Sequence, residues 1–450
     1  MRAMASIRPA AVAGMFYPGE ARALAAEVAR FLGAADDELA PRLAFPKALV
    51  VPHAGYVYSG AIAARAYREL SAARGIVRRV VLLGPAHRVA VRGLAAPGVA
   101  AFETPLGRVA IDRAALYAIA DLPQVVRSDP VHALEHSLEV QLPFLQAVLG
   151  EFTLVPLAVG MAGVAEVAEV LERLWGGAET LFVISTDLSH YHAYAQARCI
   201  DAATLARIAG CATDIDHDEA CGATPLNGLL WCAKKRDMPV RLLAACNSGD
   251  TSGGKDHVVG YSSFALYERS DAQAGATLIE IARAAIEERL FGKAATPRDA
   301  PWLGRPGATF VTLLKNGELR GCIGSLEAVK PLAQDVADNS LAAAFRDPRF
   351  PELTAPEWPR CAVEVSLLSA CMPIRYTDEA DLLRQIRAGE DGLILEAEGR
   401  RATFLPQVWE SVPDKRAFLG QLVRKAGLPS DTPLTNCSIS RYRVMKFDGR

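Results

Sequence analysis

The sequence predicts an α/β fold with a mostly parallel central sheet in its first part, followed by a smaller α+β region. Three observations carry this. Runs such as Ala48-Leu49-Val50-Val51, Val80-Val81-Leu82-Leu83 and Leu181-Phe182-Val183-Ile184 are wholly apolar, the pattern of strands buried on both faces of a sheet. They alternate with stretches of helical periodicity, which argues for layered α/β architecture. Further on, Lys315-Asn316-Gly317-Glu318 separates two strand-like runs, and Asn-Gly there signals an antiparallel hairpin.

In order, the spacing predicts a strand at 48–51, a helix over 60–70 and a strand at 80–83. Residues 134–149 are apolar at helical spacing, 153–159 read as a strand and 165–174 as a helix. A strand at 181–185, a helix over 196–210 and a helix over 218–235 follow, the last with Pro225 early in it. Two strand-like runs, 242–245 and 257–267, complete the first part. A polar stretch then breaks the periodicity, giving expected domains at 1–268 and 276–450 joined by a linker over 269–275. The second part reads as an amphipathic helix over 276–290, strands at 308–314 and 319–324, a helix over 335–345, a strand at 361–368 and a helix over 415–426. A chain of 450 residues fits two or more cores.

The composition is globular, 51% hydrophobic and 22% charged. A net charge of −2 gives no electrostatic footprint for nucleic acid or an anionic membrane, and neither is expected as a partner. Nine scattered cysteines with no C-x-x-C pair make neither a disulfide framework nor a zinc ribbon, and no close triplet is present to hold an iron–sulfur cluster. The apolar stretch at the N-terminus is too short and too interrupted for a signal peptide, and no apolar run reaches transmembrane length. A cytoplasmic protein is the expectation.

All eight histidines lie between His53 and His257. His53, His87 and His190 each follow an apolar run, and ligands of open α/β sheets bind beyond the carboxyl ends of the strands. Three imidazoles so placed predict a mononuclear metal site. His190 is a third ligand or an acid–base group. Asp187, three residues earlier, is expected to neighbour it on one turn, one ligating while the other orients. His132, His136 and Glu139 would share one face of a helix, as further ligands, as their supports or as a polar helix start. His192, His217 and His257 stand in polar contexts that suit the surface. The polar, Gly-rich run from Asn247 to Gly254 lacks the P-loop pattern and offers Asp250 as a carboxylate ligand, or is a plain turn. In the second part, Cys322 beside Arg320 is a candidate nucleophile, but no histidine follows to serve as its base, and a buried structural cysteine is the better reading.

Several motifs in order give the first part a resemblance to the MEMO family. They are Ala11-Val12-Ala13-Gly14-Met15-Phe16-Tyr17-Pro18, Pro52-His53-Ala54-Gly55-Tyr56-Val57-Tyr58-Ser59-Gly60, Gly84-Pro85-Ala86-His87, Glu135-His136-Ser137-Leu138-Glu139 and Ser185-Thr186-Asp187-Leu188-Ser189-His190. The resemblance implies a fold similar to the class III extradiol dioxygenases, with His53, His87 and His190 as metal-site histidines and Fe(II) as the expected ion, copper or zinc being alternatives. Animal members of the family add a cysteine ligand in the loop that corresponds to 248–252. No cysteine stands there, and Cys246 lies too early, so Asp250 substitutes or the site is incomplete. The second part resembles the AMMECR1 family through Leu319-Arg320-Gly321-Cys322-Ile323-Gly324, Ala344-Phe345-Arg346-Asp347-Pro348-Arg349-Phe350 and Glu364-Val365-Ser366. Together the resemblances imply a non-haem iron protein of dioxygenase-like fold taking O2 or a small phenolic or carbonyl substrate, or else a metal-binding scaffold. In either case a radical SAM protein is the implied partner.

Overall fold

The computed structural model describes residues 6–34, 45–268, 271–292 and 301–449. These fall into two compact units, one up to 268 and the other from 271 onward. The first is built on a large mixed sheet. Its centre is four parallel strands in the order Thr153–Val159, Arg79–Pro85, Thr180–Ser185 and Ala48–Val51. Ala48–Val51 and Thr180–Ser185 are buried along their whole lengths, as the apolar runs 48–51 and 181–184 require. The strands predicted at 242–245 and 257–267 form an antiparallel pair, Val240–Asn247 with Val258–Leu266, that continues the sheet beyond Ala48–Val51. Helices Tyr56–Arg68, Val164–Arg173 and Ala223–Lys235 cover the faces, with Leu82, Val183 and Tyr67 in the core of one side and Leu83, Ile184 and Leu229 in that of the other. Among the described residues no helix is long and apolar enough to cross a membrane.

The second unit is α+β. One antiparallel sheet has the order Glu318–Gly324, Thr309–Lys315, Cys361–Leu368, Val444–Gly449, and a second has Met372–Pro373, Ser438–Tyr442, Gly392–Ala397, Arg400–Phe404. The Asn316-Gly317 turn has both residues at positive φ, 54° and 87°, as a two-residue hairpin loop of the twist-matched kind needs. Arg320 is the extra residue of a bulge, because Leu313 faces Gly321 while Leu314 faces Leu319.

Three helices differ from expectation. The helix expected over 276–290 runs Asp271–Phe291, so its alanine-rich first turns occupy part of the segment read as linker. The helix expected from 218 begins at Ala223, because Cys221 and Gly222 form a turn against the end of a strand. The third difference matters most. Residues 134–149 are not one helix: a short helix Asp129–Ala133 is followed by a loop, a 3-10 turn Glu139–Gln141 and the helix Leu142–Leu149. A continuous helix would bond the N–H of residue 136 to the carbonyl of 132, and that of 139 to 135. Both ladders are diverted. The Glu135 side chain accepts the N–H groups of His136 and Ser137, each at 2.9 Å. The guanidinium of Arg8 donates to the carbonyls of His132 (2.7 Å) and Glu135 (2.6 Å).

His132, Glu139 and His136 therefore do not share a helical face. His132 is buried, and its Nε2 donates to the Ala95 carbonyl at 2.9 Å. Burial is the main cause that holds its pKa down at about 4, against 6.5 for a free imidazole. Between those values the unfolded chain binds more protons than the folded one, so stability falls as pH drops from 6.5 to 4, by roughly 3 kcal/mol for this group. Urea midpoints measured across that window should fall accordingly, and His132→Gln should make the decline shallower. An unaltered slope would show that His132 does not contribute to it.

Candidate metal centre

His53 and His87 each stand two residues past a strand end, Ala48–Val51 and Arg79–Pro85. Between those strands lies Thr180–Ser185, which leads into Asp187. The third nitrogen comes from the loop described above: ligand atoms of His53, His87 and His136 all lie within 4.8 Å of one another. The rings of His87 and His136 stack at 4.9 Å, and Phe16 packs on His136 at 4.8 Å.

The hydrogen bonds place the protons. Ser185 Oγ donates to the Ser137 carbonyl at 2.6 Å, which uses its only proton, and accepts from Gln141 Nε2 at 2.8 Å. It must therefore accept from His53 as well, so His53 Nδ1, at 2.9 Å, carries the hydrogen and Nε2 keeps its lone pair. His87 likewise turns Nδ1 toward Glu135 Oε1 at 3.1 Å. His136 Nδ1 is buried with no hydrogen-bond partner. A second nitrogen committed to a carboxylate or hydroxyl is the usual support of a metal-bound imidazole.

Charge follows the same design. Burial first, and then the neighbouring His87 and His136, depress the pKa of His53 far below its ordinary value. Burial holds His136 at about 4. Glu135 is buried too, which pushes its carboxyl up, but hydrogen bonds from His87 and the Ser137 backbone outweigh this and hold it at about 2. The site thus holds His53 and His136 neutral beside the fixed negative charge of Glu135, a state that suits a cation.

Asp187 turns away from His190. Its Oδ1 accepts the His53 backbone N–H at 2.7 Å, and Oδ2 lies 4.0 Å from His53 Nε2. Residues 186–189 form no helical turn, so the expected i,i+3 pairing with His190 is absent. Burial raises Asp187 to about 7. His190 begins the short strand His190–His192 and pairs with Val259. It neighbours the three-histidine group closely enough to feel the charge of His87, but is not a member of it. His217 and His257 are exposed and His192 is partly so.

Asp250 is also elsewhere. It is exposed, its Oδ1 accepts from the Tyr194 hydroxyl and its Oδ2 caps the turn at the Asn247 N–H. Both oxygens are committed, so it is not placed as a ligand. Glu139 is structural: fully buried, it accepts from Arg8, the Tyr17 hydroxyl and the N–H groups of Ala11 and Val12. In the second unit, Arg320 is buried against the Pro351 carbonyl and Glu357. Cys322 is partly buried and accepts from Thr312 Oγ1 at 3.3 Å, while Asp347 and Arg349 hold its backbone N–H and carbonyl. No base faces the thiol among these partners. One residue near the histidines has no signal in the sequence: Cys221 Sγ lies 3.4 Å from His53 Nε2. Its separation of 168 residues from His53 leaves no spacing to read.

The sheet, the strand-end histidines and their carboxylate support define the class, an α/β protein with a three-imidazole site at the carboxyl edge of a parallel sheet. The chain belongs to the Memo-like protein family, whose model matches residues 8–265. Residues 279–447 match the AMMECR1 family. It is 34% identical over 280 residues to a MEMO1 family protein of Ignicoccus hospitalis, covering 57% of this chain and 97% of the relative. It is 36% identical over 276 residues to one of Methanopyrus kandleri, with the same coverages. A protein of Methanothermobacter thermautotrophicus is 45% identical over 161 residues, 35% of this chain and 84% of its own. Among solved structures, uncharacterized protein PH0010 from Pyrococcus horikoshii is similar at 34% identity and TM-score 0.37, covering 39% of this chain and 91% of its own.

The Arg8–Glu139 pair is 3% and 0% exposed. Removing one partner of a buried pair leaves the other charge uncompensated, at a cost of about 3–5 kcal/mol. Arg8→Met is expected to lower the free energy of unfolding by that amount in urea titrations. A change below about 1 kcal/mol, the scale of an exposed pair, would show that the pair does not hold this segment.

Proposed function

We propose that the first unit is a mononuclear metal protein whose ion is held by His53, His87 and His136, and that iron is its working metal. The observation that carries the reading is the convergence of three imidazoles, two of which, His53 and His87, have their second ring nitrogen held by a hydrogen bond. An Fe(II) ion there would supply Lewis acidity and a one-electron couple to O2 or to a small phenolic or carbonyl substrate at the remaining positions. The chain's own groups have separate tasks. Glu135 orients His87 and, through its backbone bonds, His136. Asp187, with its pKa raised to about 7, can hold or release a proton at Oδ2 near neutral pH. His190, next to the group, is the second candidate for moving a proton. The AMMECR1 region, fused to this unit, would bring the site to a radical SAM protein that carries the iron–sulfur cluster. The scattered cysteines of this chain favour that division of labour.

Elemental analysis of protein purified without oxygen tests the site. One metal ion per chain is expected, lost in His53→Ala, His87→Ala and His136→Ala and retained in Asp250→Asn. Equal metal in all of them would sink the assignment. Glu135→Gln should weaken metal affinity by about 10–100-fold, the usual effect of removing an orienting carboxylate. Nitric oxide binding to the Fe(II) form would show open positions. Its exclusion would instead favour an ion with a closed donor set in a scaffold.

A further inference from the structure

We infer that Cys221 is a fourth protein donor to the ion held by the three histidines, so that the site is built for a thiophilic transition metal. The inference rests on the metal site proposed above and adds to its donor set.

Three observations lead there. The first is distance and direction. Nδ1 of His53 has its hydrogen committed to Ser185, so the lone pair is on Nε2, and the atom that approaches Nε2 is Cys221 Sγ at 3.4 Å. Two donors on one tetrahedral ion, with metal–nitrogen near 2.1 Å and metal–sulfur near 2.3 Å, stand about 3.6 Å apart. The second is that the sulfur is held in place. The Asp187 N–H donates to Sγ at 3.4 Å, while the Cys221 N–H donates to the Asp187 carbonyl at 3.2 Å. The third is that the turn has been brought this close at the expense of a side chain. A Cβ on Gly222 would stand 2.6 Å from Thr186 Cβ and 2.7 Å from the Ser185 carbonyl oxygen. Only glycine lets the Cys221 turn rest on the strand end, where the Gly222 N–H bonds to Thr186 Oγ1 at 2.8 Å.

The thiol rests against the nitrogen that would carry the ion, outside the group of three whose donor atoms all lie within 4.8 Å, so the sulfur would close on the ion as it binds. On loading, the S–H proton leaves to solvent as the metal–sulfur bond forms, with no change of oxidation state. Imidazole and thiolate together select Fe(II), Zn(II) or Cu(I) over Mg(II) and Ca(II).

The test uses the full chain loaded with Co(II) alone. The expected result is a strong near-ultraviolet sulfur-to-cobalt charge-transfer band, lost in Cys221→Ser and kept in Cys246→Ser, with the visible bands of nitrogen-bound Co(II) present in all three. Stoichiometric Co(II) without the band in the wild-type chain, or loss of the band in Cys246→Ser instead, overturns the inference and leaves the three-histidine site standing. Absence of bound Co(II) overturns both. Should Cys221→Ser fail to fold, X-ray absorption of the zinc-loaded wild-type chain decides the same question. One sulfur scatterer at about 2.3 Å supports the inference, and a first shell of nitrogen and oxygen alone ends it.

Discussion

Glu135 accepts four hydrogen bonds, from the backbone and ring of His87 and from the N–H groups of His136 and Ser137. By taking two N–H groups that a helix would need, it breaks the helix. By holding the ring of one histidine and the backbone of the next, it brings the two together. The carboxylate is buried, which would ordinarily favour its neutral form, so the arrangement depends on all of these donors at once. Arg8 supports the same loop from the other side through the carbonyls of His132 and Glu135.

The second constraint is the placement of protons. Ser185 has one hydrogen and donates it to Ser137, and this choice passes through His53 Nδ1 to leave Nε2 bare. Gln141 locks the serine further by donating to it and to the Pro52 carbonyl, while accepting from Tyr67. A buried network with every member satisfied is rigid, and a rigid imidazole needs little reorganisation to meet a cation. His136 Nδ1 is the exception, without a hydrogen bond though 3.4 Å from Glu135 Oε1, and it belongs to the same cluster.

Much of this is legible in the sequence. The strands at 48–51, 80–83 and 181–185 announce themselves because a strand buried on both faces has no alternative but an apolar run. His53 and His87 are found by the same reasoning, since they stand immediately past those strands. His190 stands beside the three-imidazole group rather than in it for a physical reason: residues 186–189 leave the strand without a helical turn, which sends Asp187 to His53 and carries His190 into a pairing with Val259. His136 looks helical because its neighbours have helical spacing. Local periodicity carries no trace of an arginine more than 120 residues away that takes the helix's carbonyls. Cys221 is invisible for the same reason, since a tertiary contact without a local pattern leaves only a residue type. In the second unit, Asn316-Gly317 is unambiguous because the turn needs positive φ at both positions and few residue pairs supply it.

The long reach of Arg8 also has a consequence in time. Its acceptors lie 124, 127 and 131 residues further along the chain. At the usual pace of synthesis, the guanidinium would wait roughly 6–25 s on a ribosome before its acceptors exist. During that interval Arg8 can meet Phe102 of its partner strand but not its carbonyl and carboxylate acceptors, and Tyr17 has no carboxylate to meet. The docking of Arg8 is therefore a late event in the life of the nascent chain, because its acceptors and His136 emerge together.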